Sequence, residues 1–383
     1  MKPSSLVASL APALALALAA AACTTTAPPA GPGAATLSQV AAFEHQVTGI
    51  AVAESGRVFV SFPRWTEDNA VSVAELRDGS LVPYPDATWN AWRNALKDQL
   101  PAAGHWVCVQ NVVADGRGSL WVLDPAAPAQ DKVVPGGPKL VQIDLATDRP
   151  RRTIAFDATV APQGSYLNDV RFAPDGSTAY ITDSGARGAI VVVDLQSGTA
   201  RRRLDGHPST QPDKSVTVMH EGRPVRRPDG RGVEFAADGI ALSPDGGTLY
   251  WQAIKGRTLY SVPTAALRSG ASEPELSAQV RPVGDNGPAD GLLIAKRDGR
   301  MIVTSPQDDS LKIRDLARPG SSLMLMLSDP RLRWPDTLAE GPDGSIYVTT
   351  SRIQDSAFFK PGAPAALPTA LWRVRPATVD GPR

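Results

Sequence analysis

The sequence predicts an all-β fold, a six-bladed β-propeller whose ring closes between the N- and C-terminal strands. Three observations carry that expectation. One strand–turn–strand phrase occurs six times, its copies lie roughly 45–70 residues apart, and together they extend over nearly the whole chain. A hairpin cannot bury its apolar face alone, so copies at this spacing stack side by side as blades do. An ordinary β-sandwich with similar turns has no need of one phrase repeated in this way.

The phrase is clearest between Asp238 and Trp251. Pro244 presets its φ, Asp245 can bond its own backbone, and Gly246 tolerates a positive φ. Ile240 and Leu242 before the turn, and Leu249 and Trp251 after it, alternate as a half-buried hairpin requires. The other copies begin at Thr48, Gln110, Asn168, Asp290 and Asp336 and turn at Gly56, Gly118, Gly176, Gly299 and Gly344. Their spacing leaves room for two further strands per blade, and Ala189–Asp194 and Thr258–Val262 read as such. Leu371–Val374 reads as a closing strand that Leu37–Phe43 can join, which removes the open edge of the array. A short helix is expected from Trp89 to before Pro101. The polar stretch from Asp205 to Gly232 reads as a long loop over one face, and Phe358 and Phe359 as packing residues.

Equal numbers of basic and acidic residues, 39 of each, leave no electrostatic footprint for nucleic acid or anionic membranes. Residues 1–22 have a minimal basic start at Lys2 and an uncharged Ala/Leu run from Leu6 to Ala22, the pattern of a secretory signal. Ala20-Ala21-Ala22-Cys23 resembles a bacterial lipobox, although leucine is favoured where Ala20 stands. A lipid on Cys23 is therefore expected, with residues 23–36 as a Thr/Pro/Ala/Gly tether. Residues 37–376 form the propeller and 377–383 a tail. The domain is then extracytoplasmic, anchored to a bacterial membrane or secreted if Cys23 is not lipidated, and monomeric. Cys108 has no disulfide partner once Cys23 carries lipid, and reads as a buried, inert thiol.

Several short motifs resemble the yellow / major royal jelly protein family, in the order that family has them. They are Val60-Ser-Phe-Pro-Arg-Trp65, Tyr84-Pro-Asp86 before Trp89-Asn90, Leu120-Trp-Val-Leu-Asp124 and Leu140-Val-Gln-Ile-Asp-Leu145. Tyr166-Leu-Asn-Asp-Val170, Ile181-Thr-Asp-Ser184 and Trp334-Pro-Asp-Thr337 continue the likeness, which runs from about Val47 to Val374. It is strongest to the bacterial, dopachrome-tautomerase-related members. The resemblance implies a six-bladed, extracytoplasmic propeller with a ligand pocket at one mouth of its channel. It further implies aromatic or amine ligands, as in insect relatives associated with pigment formation. Insect members are usually disulfide-bonded, and this chain departs from them there.

The first residue of each repeat should face the channel, so Thr48, Gln110, Asn168, Asp238, Asp290 and Asp336 form the candidate ligand site. Three carboxylates and two amides about one axis suit an ammonium group, or a hard cation such as Ca2+ on Asn168, Asp238, Asp290 and Asp336. The competing reading is that such residues only cap strand starts. None of His45, His105, His207 and His220 stands in a motif with a serine nucleophile, and no zinc, phosphate-loop or dinucleotide pattern is present. Three functions remain open. One is a yellow-like binder of a small aromatic or amine ligand with isomerase or tautomerase activity. Another is a calcium-dependent lactonase of the gluconolactonase type, which Thr48 departs from by standing where that family has a metal-binding Glu. The third is a non-catalytic periplasmic scaffold.

Overall fold

The computed structural model describes residues 35–376 apart from 66, 131, 319, 361 and 363–365. The signal, Cys23, most of the tether and the tail therefore lie outside the described residues. Six four-stranded antiparallel sheets make up the fold. Their innermost strands, in chain order, are Ile50–Val52, Asn111–Ala114, Leu167–Phe172, Ala237–Leu242, Leu292–Ile294 and Pro335–Glu340. Each touches the innermost strand before and after it, and the sixth touches the first, so all six stand round one axis. We number the blades 1–6 in that order.

Blade 6 closes the ring. Its outermost strand is Thr36–Phe43, paired with Thr369–Arg375 from Thr36 opposite Arg375 to Phe43 opposite Thr369, with a bulge between Gln39 and Ala41. The repeated turn forms as its residues dictate. All six turn glycines have positive φ, between 67° and 85°. Asp245 accepts the Gly247 N–H at 2.9 Å, and Asp175 and Asp343 do the same for Ser177 and Ser345.

The core lies in the seams between blades. Trp121 and Leu140 of blade 2 pack with Ile181 and Val191 of blade 3. Tyr180 and Ile190 of blade 3 pack with Leu249 and Trp251 of blade 4. Trp251 is fully buried and donates its indole N–H to the Ser209 carbonyl, 3.0 Å away. Truncating such a side chain to alanine typically costs about 3–5 kcal/mol.

Two local expectations change. The helix expected from Trp89 spans only Ala87–Asn90, capped by the Asp86 side chain, with a single 3-10 turn at Asn94–Leu96 beyond it. Asn90 stops it: its carbonyl oxygen accepts the Ser72 and Val73 N–H groups, and its amide donates to the Tyr84 and Asp86 carbonyls. Tertiary bonding outweighs helix propensity there. The long loop of residues 205–232 carries a 3-10 turn at Pro208–Thr210 and a small hairpin of Met219–His220 with Arg223–Pro224. Among the described residues no helix is long and apolar enough to cross a membrane.

Candidate functional site

Loops between blades gather at one end of the channel. Trp65, Trp92, Cys108, Tyr166, Phe235, Trp334, Ile353 and Phe359 pack there as a single apolar roof. Beneath the roof is a pocket lined by Gln110, Asn168, Asp238, Asp290 and Asp336, together with Trp65, Gln130, Phe235, Ile254 and Ile353. Five of the six expected channel residues thus meet at one mouth. Thr48 does not join them: it is fully buried, and its hydroxyl donates to the Gln110 carbonyl at 2.8 Å.

Hydrogen bonds between blades hold the ring in place. Ser61 also donates to the Gln110 carbonyl, Thr182 to that of Asp238 and Thr349 to that of Thr48, each a second-strand hydroxyl reaching the next blade. The glycines that follow Asp238 and Asp290 have a related task. A Cβ on Gly239 would stand 2.0 Å from the Asp290 carbonyl oxygen, and one on Gly291 2.1 Å from that of Asp336. Neighbouring blades approach so closely that only glycine fits. Two buried aspartates aim the loops that lead inward. Asp124 accepts the Val107 and Cys108 N–H groups with Lys139 Nζ at 2.9 Å, and Asp183 accepts the Tyr166 N–H with Arg202 beside it.

The carboxylates face one another with little to neutralise them. Asp238, Asp290 and Asp336 are each about 95% buried or more. Burial pushes all three well above the usual carboxylate range, and each is raised further by a neighbour: Asp238 by Asp336, Asp290 by Asp238, and Asp336 by Asp290. Asp238 and Asp290 lie within hydrogen-bonding reach of each other. None of the described lining residues is cationic. The space among them is about 10 Å³, room for one water-sized group.

The amides differ from expectation. Both were to offer oxygen, but Asn168 turns its Nδ2 to Asp238 Oδ2 at 2.8 Å and to Ser184 Oγ at 2.9 Å. Gln110 Oε1 accepts the Tyr166 hydroxyl at 2.9 Å. Asp290 Oδ2 accepts the Trp334 indole N–H at 2.8 Å. Asp238 and Asp290 thus each accept one N–H donor, from Asn168 and Trp334. Among the described residues no group of three His, Cys, Asp or Glu side chains is placed to hold a metal. The four expected metal ligands, Asn168, Asp238, Asp290 and Asp336, all line this one pocket.

Sequence reasoning missed Trp65, Tyr166 and Trp334. Tyr166 and Trp334 each stand two residues before a channel residue, just ahead of the innermost strands of blades 3 and 6. Trp334 holds φ at 52°, uncommon for a bulky residue, and such strain is typical of functional sites. Deeper in the channel, Asp169 accepts from Asn111 at 2.6 Å and from Arg171 at 2.7 Å. Arg171 also reaches the Leu292 carbonyl of blade 5, 2.9 Å away. Past this ion pair, a larger cavity of about 230 Å³ opens at the opposite mouth, lined by Ile50, Val52, Glu54, Lys296 and Glu340 among others. The histidines stay outside the site, with His45 on Glu67, His105 on the Pro101 carbonyl, His207 between Ser209 and Ser277, and His220 on Asp309.

Fold and site together define a six-bladed propeller with a closed, acidic channel mouth. The sequence pattern of the major royal jelly protein family matches residues 107–357, and the chain belongs to that family. Major royal jelly protein 5 of Apis mellifera is 24% identical over 221 residues, 55% of this chain. The match takes in 34% of that relative's length. Among solved structures, a luciferin-regenerating enzyme superposes with a TM-score of 0.54 at 12% identity, over 89% of this chain and 95% of that one. A gluconolactonase of Xanthomonas campestris superposes with a TM-score of 0.53 at 15% identity, over 89% of each chain. At such identities these likenesses concern the fold alone.

Proposed function

We propose that this protein binds a small aromatic amine at the channel mouth, with the ammonium group among Asp238, Asp290 and Asp336. One observation carries the reading: three buried carboxylates converge where no lining side chain supplies a positive charge. Such a cluster takes up a proton or a cation from outside. The pocket is the size of an ammonium head group, and Trp65 and Phe235 stand where a ring attached to it would lie. Buried carboxyls whose joint ionisation is disfavoured can also supply what a tautomerisation needs, an ionised group to remove a proton and a protonated one to return it. We assign that role to Asp238 and Asp290, acting on a quinone-like aromatic amine. Export and lipidation at Cys23 belong to the same reading, supported by the run from Leu6 to Ala22.

Calorimetric titration of the wild type with phenethylamine, and separately with calcium chloride, tests this. The amine should bind in the millimolar range or tighter. Stabilisation by calcium with no amine binding would replace the proposal with the lactonase reading, and binding of neither would leave the scaffold.

A further inference from the structure

One half of the Gln110 amide is committed and the other half is open. An indole N–H can only donate, so Trp65 Nε1 donates to the Tyr166 oxygen. The Tyr166 hydroxyl then donates to Gln110 Oε1, 2.9 Å away. Burial keeps both neighbours protonated: it pushes the Cys108 thiol up to about 12, and the Tyr166 hydroxyl well above its usual value. The relay runs one way, and it turns the Gln110 Nε2 group into the pocket. Gln110 is 5% exposed, and no acceptor among the described residues takes that group. Opposite it stand the carboxylates of blades 4, 5 and 6, so the pocket has a donor side and an acidic side.

We infer that Gln110 is the specificity-determining donor of this pocket, and that the preferred ligand is an amine bearing an acceptor oxygen on the adjacent carbon. The inference rests on the amine-binding reading. A plain ammonium has no lone pair for the Gln110 N–H groups and leaves a buried donor unsatisfied, which lowers affinity. Gln110 and the three aspartates line one small pocket, so the oxygen has to lie close to the nitrogen. Trp65 and Tyr166 are positioning residues that act through Gln110.

The test compares phenethylamine with 2-amino-1-phenylethanol, which adds one hydroxyl beside the carbon that bears the amine. Wild type should prefer the hydroxylated amine by roughly tenfold, the size of one hydrogen bond. Tyr166→Phe, which frees the amide to turn over, and Gln110→Met, which removes it, should both bring the ratio near one. Melting curves check that both are folded. Loss of structure alone would weaken both ligands together and leave the ratio unchanged. Equal binding of the two amines by wild type, or a preference that survives in both variants, overturns this inference and leaves amine binding standing. If wild type binds neither amine, the amine-binding reading fails first and this inference with it.

Discussion

Gly291→Ala adds one methyl group where blade 5 meets blade 6. Its Cβ would stand 2.1 Å from the Asp336 carbonyl oxygen and 3.2 Å from the carbonyl carbon. Van der Waals contact needs about 3.5 Å, so the seam has to open by roughly 1.4 Å. That carbonyl is backbone and cannot rotate away as a side chain would. Overpacking of this kind costs about 1–3 kcal/mol. The displaced residue is Asp336 itself, so its carboxylate should also move relative to Asp290. Gly344→Ala is the matched control: φ is 73° there, and a Cβ meets nothing within 4 Å. A residue forced into that conformation costs about 1–2 kcal/mol. The two variants should lose comparable stability in urea unfolding, while titration with phenethylamine weakens only for Gly291→Ala. Wild-type stability and affinity in Gly291→Ala would refute the close-approach reasoning.

Asp290→Asn removes one of three mutually repelling carboxylates, so phenethylamine binding should fall more than tenfold by calorimetry while the melting temperature holds or rises; a lowered melting temperature with unchanged binding would make the residue structural. The same cluster sets a pH dependence. Asp238, Asp290 and Asp336 are raised in the folded state, first by burial, so their contribution is full below an ordinary value near ~4 and is lost as pH rises through their raised values. Asp355 runs the other way: against burial, Arg333 and Lys360 bring it down to about 2, so its contribution is lost only as pH falls through that value. The melting temperature of the unliganded protein should therefore decline from about pH 4.5 towards neutrality, and Asp290→Asn should flatten that decline; parallel curves for the two proteins would contradict it. Phenethylamine binding at pH 7 should release protons, read as a binding enthalpy that varies with buffer ionisation heat. Cys23→Ser should abolish metabolic lipid labelling, and a non-lipidated mature terminus beyond Cys23 in mass spectrometry would disprove the anchor.

The blades were legible because each repeats its own local chemistry. Pro244, Asp245 and Gly246 specify a turn whatever surrounds them, and five of the six residues counted back from such turns do meet at the pocket. Thr48 shares the position and not the role, because a hydroxyl facing the neighbouring Gln110 carbonyl finds a partner at once. The orientation of the amides was not legible. Gln110 is turned by Tyr166, which is 56 positions away, and Tyr166 by Trp65, 101 positions before it. Glycine was half understood: its use in turns follows from φ, but Gly239 and Gly291 answer to carbonyls of the next blade. Asp290 carries a bond from Trp334, 44 residues on, that no local pattern records.

Blade 6 joins the first described strand of the chain to the last. Among the described residues Thr36–Phe43 pairs only with Thr369–Arg375, so its partner is the last of the described strands to be synthesised. Until then it is an unpaired edge, and five blades stand as an open array with one exposed seam at either end. Order of synthesis and order of assembly therefore conflict here. The ring completes in one late step, across a sequence separation of more than three hundred residues, which is the slow kind of contact in folding. The Asp336 side chain is carried by that same sheet, so the blade that closes the ring also supplies the pocket's third carboxylate.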